Sequence, residues 1–333
     1  MILVTGGTGL VGSHLLVNLI ERGEKVRAIY RSQHRLEAVK DIFKLYVENP
    51  DSIYDQIEWV TADVNDLPSL EVAFKGISQV YHSAAYISFD PKHFYKLKKV
   101  NIKGTANMVN VSLAHGIDKF CFVSSIAALG ETTDGSLINE EIFWDPEAEN
   151  NVYAMSKYGA EMEVWRGTQE GLKAVIVNPA VIVGTGARGS GSGSFIRMAS
   201  KGSKYYTPGG LAIVDVRDVV DAMIGLMQSD ISNQQYILAG KNMLQREFFE
   251  KTAKRFGVAP PLKAISKSKV NIARVFDWLS SKLFGTRRRL FKAMVKSLFT
   301  INYYDGSKIE RAINFKYRTL EETLDWAVNN FRK

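Results

Sequence analysis

Tyr153 and Lys157 are the residues whose types and spacing point most directly to chemistry. Four apart in Y-A-M-S-K, they fall on one face of a helix. An ammonium beside a phenol favours the phenolate and draws the phenol down from about 10 toward neutrality, as a proton-transfer group needs. Alone, Y-x-x-x-K occurs freely by chance, and a solvated helix face is the better reading of it. Here it follows a strand-like run, K-F-C-F-V-S-S, that ends in Ser124-Ser125, and a glycine turn opens the chain. In that setting the pair reads as a proton-transfer site.

The glycine turn is the element that must position it. Ile2, Leu3 and Val4 suit a strand buried on both faces, and Gly6, Gly9 and Gly12 follow at G-x-x-G-x-x-G spacing. A tight turn, backbone without Cβ where a pyrophosphate approaches, and free N–H groups of Leu10, Val11 and Gly12 at a helix start make a dinucleotide site. The helix is expected over Leu10–Arg22, ending at Gly23, and a second strand over Lys25–Arg31. That strand ends Tyr30-Arg31-Ser32, with Arg35 close behind and no acid. An acid there favours NAD and an arginine accommodates a 2′-phosphate, so the cofactor expected is NADP, with NAD the lesser choice. Asp63-Val64 ends a third strand and borders the adenine. Ser83-Ala84-Ala85 ends a fourth and is small enough for close cofactor approach. His82 reads as a packed core residue, and no other ligand stands at metal spacing, so no metal is expected.

Asn101 is expected to open a helix to about Ala114, and a long acidic, aromatic loop spans 126–150. Strand and helix alternate up to Val175–Asn178, the pattern of an α/β fold. A Rossmann-type, doubly wound parallel sheet is expected, with a smaller, mainly helical C-terminal substrate lobe. The cofactor domain covers 1–180, with 211–240 returning to it in part, and 181–333 is mostly the substrate lobe.

Composition supports an ordinary globular protein: 333 residues, 46% apolar and 23% charged. The single cysteine, Cys121, excludes an internal disulfide and fits a reducing compartment. The first residues already form a strand, which leaves no room for a cleavable signal, and no apolar run is long enough to span a bilayer. A cytoplasmic protein is expected, with membrane association as the variant discussed below. The net charge of +8 is concentrated: residues 262–300 hold ten lysines and arginines against one aspartate. The rest of the chain is nearly neutral, so nucleic acid is not an expected partner.

Taken together, T-G-G-T-G-L-V-G at 5–12, Asp63-Val64, H-S-A-A at 82–85, V-N-I-K-G-T at 100–105, F-V-S-S at 122–125, Y-A-M-S-K at 153–157, V-D-V-R-D at 214–218 and T-L-E-E-T-L-D-W near the end resemble the extended, or atypical, short-chain dehydrogenase/reductases of the NAD-dependent epimerase/dehydratase family. The resemblance covers essentially the whole chain. It implies that Tyr153 moves the proton at the substrate oxygen, that Lys157 binds the nicotinamide ribose and lowers the tyrosine pKa, and that Ser125 holds the carbonyl or hydroxyl. Ser124 competes for that last role, but Ser125 matches the second serine of the family's pair. Asn101 matches an asparagine that supports the lysine through water, and Pro179-Ala180, at the end of the sixth strand, joins the cofactor-binding set. Members acting on nucleotide sugars usually read R-x-x-N-x-Y-G-P after that strand, whereas here Asn178–Thr185 is N-P-A-V-I-V-G-T. The sequence looks more like the dihydroflavonol 4-reductase and 3β-hydroxysteroid dehydrogenase branch, whose members act on mostly apolar ketones or alcohols.

The expected activity is therefore NADP(H)-dependent oxidation or reduction of a small, largely apolar substrate. An epimerase or dehydratase on a sugar-type substrate and a non-catalytic NADP(H)-sensing protein are the alternatives. A homodimer is carried as a further partner. The glycine/serine run Thr185–Ser194 reads either as a mobile loop over the site or as a passive linker. Residues 266–299 read as two basic amphipathic helices broken near Gly285-Thr286. Their apolar faces either cover the substrate cavity or lie on an anionic membrane as a peripheral contact.

Overall fold

The computed structural model describes residues 1–132, 134–186, 193–286, 288 and 290–331. The first eighty residues alternate regularly: β1 (Ile2–Thr5), α1 (Leu10–Glu21), β2 (Val26–Tyr30), α2 (His34–Phe43), α3 (Asp51–Tyr54), β3 (Glu58–Thr61), α4 (Leu67–Ala73) and β4 (Gln79–His82). Next, α5 (Phe94–Leu97) runs through a π-helical stretch at Lys98–Lys103 into α6 (Gly104–Ala114), and β5 (Lys119–Val123), α7 (Val152–Gln169) and β6 (Ala174–Pro179) follow. Asn101 therefore does not open a helix. It sits inside a helical segment that begins at Phe94, on the wide turn where side chains are re-aimed.

Beyond β6 come β7 (Val181–Val183), α8 (Gly193–Ser200), β8 (Tyr205–Tyr206), β9 (Gly210–Asp215), α9 (Val216–Gln228), β10 (Gln234–Leu238), β11 (Lys241–Leu244), α10 (Gln245–Phe256), β12 (Lys263–Ala264), α11 (Lys267–Phe284), α12 (Lys292–Ser297), α13 (Ser307–Ile313) and α14 (Leu320–Phe331). Seven strands form one parallel sheet in the order β10-β6-β5-β4-β1-β2-β3. This is the expected doubly wound α/β architecture, and its order reverses between β1 and β4, where ligands bind in such sheets. The strands are apolar on both faces because helices cover both. Leu15, Leu16, Val219 and Met223 of α1 and α9 pack one side. Leu70, Met108, Ala160 and Val164 of α4, α6 and α7 pack the other.

The C-terminal third is more strand-rich than its periodicity suggests. β9 pairs with β7 and β11 in a small sheet, β8 pairs with β12, and a core of Val183, Leu211, Ile213, Met243 and Phe248 lies beneath. Within 211–240, β9 stays in the small sheet, whereas β10 closes the edge of the large one beside β6. His14 of α1 ties the two ends of the chain. Its Nε2 donates to the Thr185 carbonyl at 2.8 Å, its Nδ1 accepts from the Tyr46 hydroxyl, and its ring lies 5.6 Å from that of Trp326 in α14.

The loop 126–150 is docked at three points: Trp144 stacks on Tyr158 with ring centroids 4.6 Å apart, Glu140 accepts from the Ile237 amide, and Ile138 bridges to Tyr304. The expectation that the apolar faces of 266–299 cover a substrate cavity fails for α11. Of its eighteen residues only Val270 is buried, and its large apolar side chains point to solvent. The reading of Thr185–Ser194 as a loop over the site falls mostly on residues 187–192, outside the described residues, as do Arg287 and Arg289.

Candidate active site

At the end of β1 the chain turns through Gly6, whose φ of 71° is the left-handed region that favours glycine. The Gly9 amide bonds back to the Gly6 carbonyl at 2.8 Å, which starts α1 directly against the turn. A Cβ on Gly12 would sit 2.2 Å from that same carbonyl oxygen, so only glycine allows helix and turn this close. Gly9 caps α1 without a side chain, and the first turn holds no acid. The N–H groups of Leu10, Val11 and Gly12 therefore point out of the helix with no intrahelical partner and no side-chain cap. That is a fit for a pyrophosphate.

The ends of neighbouring strands complete this cradle. Ser83 Oγ donates to the Thr5 carbonyl and the Ala84 amide to Thr5 Oγ1, which holds Ser83-Ala84 against Gly6. His82, fully buried between Thr5 and Thr105 and stacked on Phe122, is driven down to about 3 by burial and stays neutral in the core. On the other side of β1, Arg31 and Asp63 end β2 and the loop after β3, with guanidinium and carboxylate 3.7 Å apart and both half-exposed. The acid absent beside Arg31 in sequence thus comes from the next strand. Burial disfavours the Asp63 carboxylate, but hydrogen bonds from Asn65 and the Arg31 charge outweigh it and hold the group below the usual range. The Val64 carbonyl accepts from Asn107, and Pro179-Ala180 lie buried at the end of β6.

Asn151 caps α7, accepting from the Tyr153 and Ala154 amides, and so fixes Tyr153 in the first helical turn. The Tyr153 ring packs edge-on against Phe89 at 5.5 Å, and its hydroxyl is hydrogen-bonded to Ser125. Burial pushes the phenol up to about 12, with the Ser125 bond working the other way. In the protein alone, burial and the Ser125 bond are what act on this phenol. Lys157 Nζ is turned inward, donating to the Val123 carbonyl at 2.7 Å and lying 4.6 Å above the Phe122 ring. Burial brings this ammonium down to about 8, opposed by the carboxylate of Glu161.

Asn101 is buried 2 % exposed, and its amide is fully engaged. It accepts from the Tyr86 amide and donates to the Tyr86 carbonyl and to Ser156 Oγ. Its side chain thus braces the 86 loop against α7, one residue from Lys157.

Glu161 went unnoticed in the sequence. It lies four residues past Lys157 on α7, buried, beside Ser124 and bonded by Asn178 Nδ2. Asn178 also donates to the Ser125 carbonyl at 3.1 Å, so the carboxylate, through Asn178, fixes the backbone that carries the candidate hydroxyl. Burial pushes Glu161 up to about 7. The i, i+4, i+8 series Tyr153, Lys157, Glu161 was the available signal.

A sequence profile of the NAD dependent epimerase/dehydratase family matches residues 2–239. The chain belongs to that family. Among its relatives in the NAD dependent epimerase/dehydratase family, a Synechocystis sp. protein named "Putative dihydroflavonol 4-reductase" is 28% identical over 99% of this chain and 94% of its own length. Cinnamoyl-CoA reductase 1 of Petunia hybrida is 26% identical over 78% of each chain. The crystal structure of gox2253 superposes with a TM-score of 0.79 at 27% identity, covering 100% of this chain and 98% of that one.

Proposed function

We propose that this family member is an NADP(H)-dependent oxidoreductase that reduces a carbonyl, or oxidises a secondary alcohol, of a small, largely apolar substrate. The observation that carries the reading is the hydrogen bond of Tyr153 to Ser125 just past β5, with Lys157 one turn further along α7 and an uncapped helix N-terminus at the start of the same sheet. A dinucleotide bound there supplies the hydride. Leu10, Val11 and Gly12 would hold its pyrophosphate through backbone N–H groups, and Arg31, shared with Asp63, would meet a 2′-phosphate. Ser125 Oγ would hold the substrate oxygen. Tyr153 Oη, still protonated at neutral pH because burial raises it to about 12, would donate the proton during reduction. Among the described residues Lys157 Nζ has one hydrogen-bond acceptor, and its remaining N–H groups are suited to ribose hydroxyls.

The reductase names of relatives that cover most of this chain support the reading. So does Asn178, the residue that opens the stretch where sugar-nucleotide members carry their recognition groups. Its side chain is used internally, by Glu161 and Ser125. On the same reading, 1–180 with α9 and β10 forms the cofactor unit and the remainder most of the substrate lobe. The test is turnover of NADPH with a panel of apolar ketones and aldehydes, followed by nicotinamide absorbance. Net oxidation of NADPH is expected. Interconversion of isomers without net absorbance change would make the chain an epimerase, and no turnover across the panel would favour a sensor.

A further inference from the structure

α11 is built inside out. Ile272, Val275, Phe276, Leu279 and Leu283 fall at i, i+3, i+4, i+7 and i+11, one continuous stripe, and are 57%, 46%, 66%, 37% and 71% exposed. The face turned toward the protein carries Val270, Arg274, Asp277 and Ser281, and Asp277 accepts from the Leu290 amide there. A helix that packed its apolar stripe on its own fold would show the reverse. So large a contiguous apolar patch on the surface marks an interaction site.

We propose that this stripe is a docking face for an anionic lipid bilayer. Lys269 and Lys282 flank the stripe on its two sides, placed to keep their stems along the apolar surface and their ammonium groups at a headgroup layer. Among the described residues neither forms an ion pair, and Lys282 lies over the ring of Trp278, an aromatic at the stripe's edge. The same segment holds the protein's positive excess, ten lysines and arginines against one aspartate over 262–300, and that aspartate faces inward. A second copy is a poor occupant. A symmetric contact through α11 would press this excess against itself. The site lies nearby, because Lys292 and Lys296 of α12, packed on α11, pair with Glu149 and Glu131 of the loop that follows Ser125. A docked α11 therefore holds that loop close to the lipid surface. The proposal does not depend on the assigned reaction.

The test is co-sedimentation of the full chain with sucrose-loaded vesicles of phosphatidylcholine, with or without about one-third phosphatidylserine. Binding is expected only with phosphatidylserine, and it should weaken at least tenfold when sodium chloride rises from about 0.1 to 0.5 M. Lys269→Gln/Lys282→Gln should weaken it severalfold and Phe276→Ser/Leu283→Ser at least tenfold, with unchanged thermal melts showing that both variants fold. Absence of binding, equal binding to pure phosphatidylcholine, or insensitivity to both double variants overturns the proposal. So does sedimentation showing a concentration-dependent dimer that Phe276→Ser/Leu283→Ser abolishes, because the stripe then serves a second copy.

Discussion

Replacing Glu161 by Gln should stabilise the protein at neutral pH, even though it removes a buried charge next to a candidate catalytic lysine. The carboxyl is raised from the usual 4.5 to about 7 by burial. The native state therefore holds a proton that the unfolded chain has lost between those values. The stability this confers is complete below about 4.5 and lost as pH rises through 7. At roughly 1.4 kcal/mol per tenfold in proton affinity, the loss is ~3 kcal/mol. Gln keeps the acceptor for Asn178 and can donate to Ser124 without the charge, so the variant should gain on the order of 1–3 kcal/mol at pH 7.5 and almost nothing at pH 4.5. Lys157 sets the alkaline side. Lowered by burial from 10.5 to about 8, it contributes stability above its unfolded value that disappears as pH falls through 8. The wild type should thus show a stability trough between pH 7 and 8, where both buried groups are forced toward charge. Equilibrium urea denaturation across pH 4–10.5, on both proteins, measures it. A Gln variant less stable than wild type at pH 7.5, or one with the same acid-side slope, refutes the account of this pair.

Tyr153→Phe removes only the proton-carrying oxygen and should cut turnover by roughly 10²–10⁴ while leaving NADPH affinity nearly intact; near-normal turnover on a true substrate excludes the assignment. Lys157→Ala should lower both turnover and cofactor affinity, read by steady-state kinetics and by calorimetric titration with NADPH. Arg31→Ala should weaken NADPH by on the order of 1.5–3 kcal/mol and spare NADH, and equal weakening of both would show that Arg31 answers mainly to Asp63. Gly12→Ala forces a methyl to within 2.2 Å of the Gly6 carbonyl, so it should cost ~1–3 kcal/mol in thermal unfolding and abolish dinucleotide binding.

The parallel sheet and the start of α1 were legible because their signals are local: apolar runs, glycine spacing and alternation over a few residues. Lys157 and Tyr153 stand out as candidates for the same reason. Their electrostatics were not legible, because the sequence puts Lys157 near the phenol, while the fold turns its ammonium to the Val123 carbonyl. Glu161 looked like one more charged helix residue, and only packing shows that the face it shares with Lys157 is the buried one. Asn101 reads as a helix start because nothing in the sequence announces a π turn. The most instructive case is α11. Periodicity reveals that a helix has two faces but not which one turns inward, and here tertiary structure chose the polar one.

The joining of Trp326 to His14, and of β10 to β6, bears on how the protein is made. Synthesis delivers the cofactor-binding residues first and the pieces that seal them last. Until residue 238 has left the ribosome, β6 offers a bare parallel edge, the kind that recruits other nascent chains. Until Trp326 follows, His14 lacks one wall of its cavity. A truncated 1–180 polypeptide should therefore be a sticky, chaperone-bound fragment rather than a miniature nucleotide-binding protein. Ribosome pauses late in the message would leave the nascent chain exposed for longest.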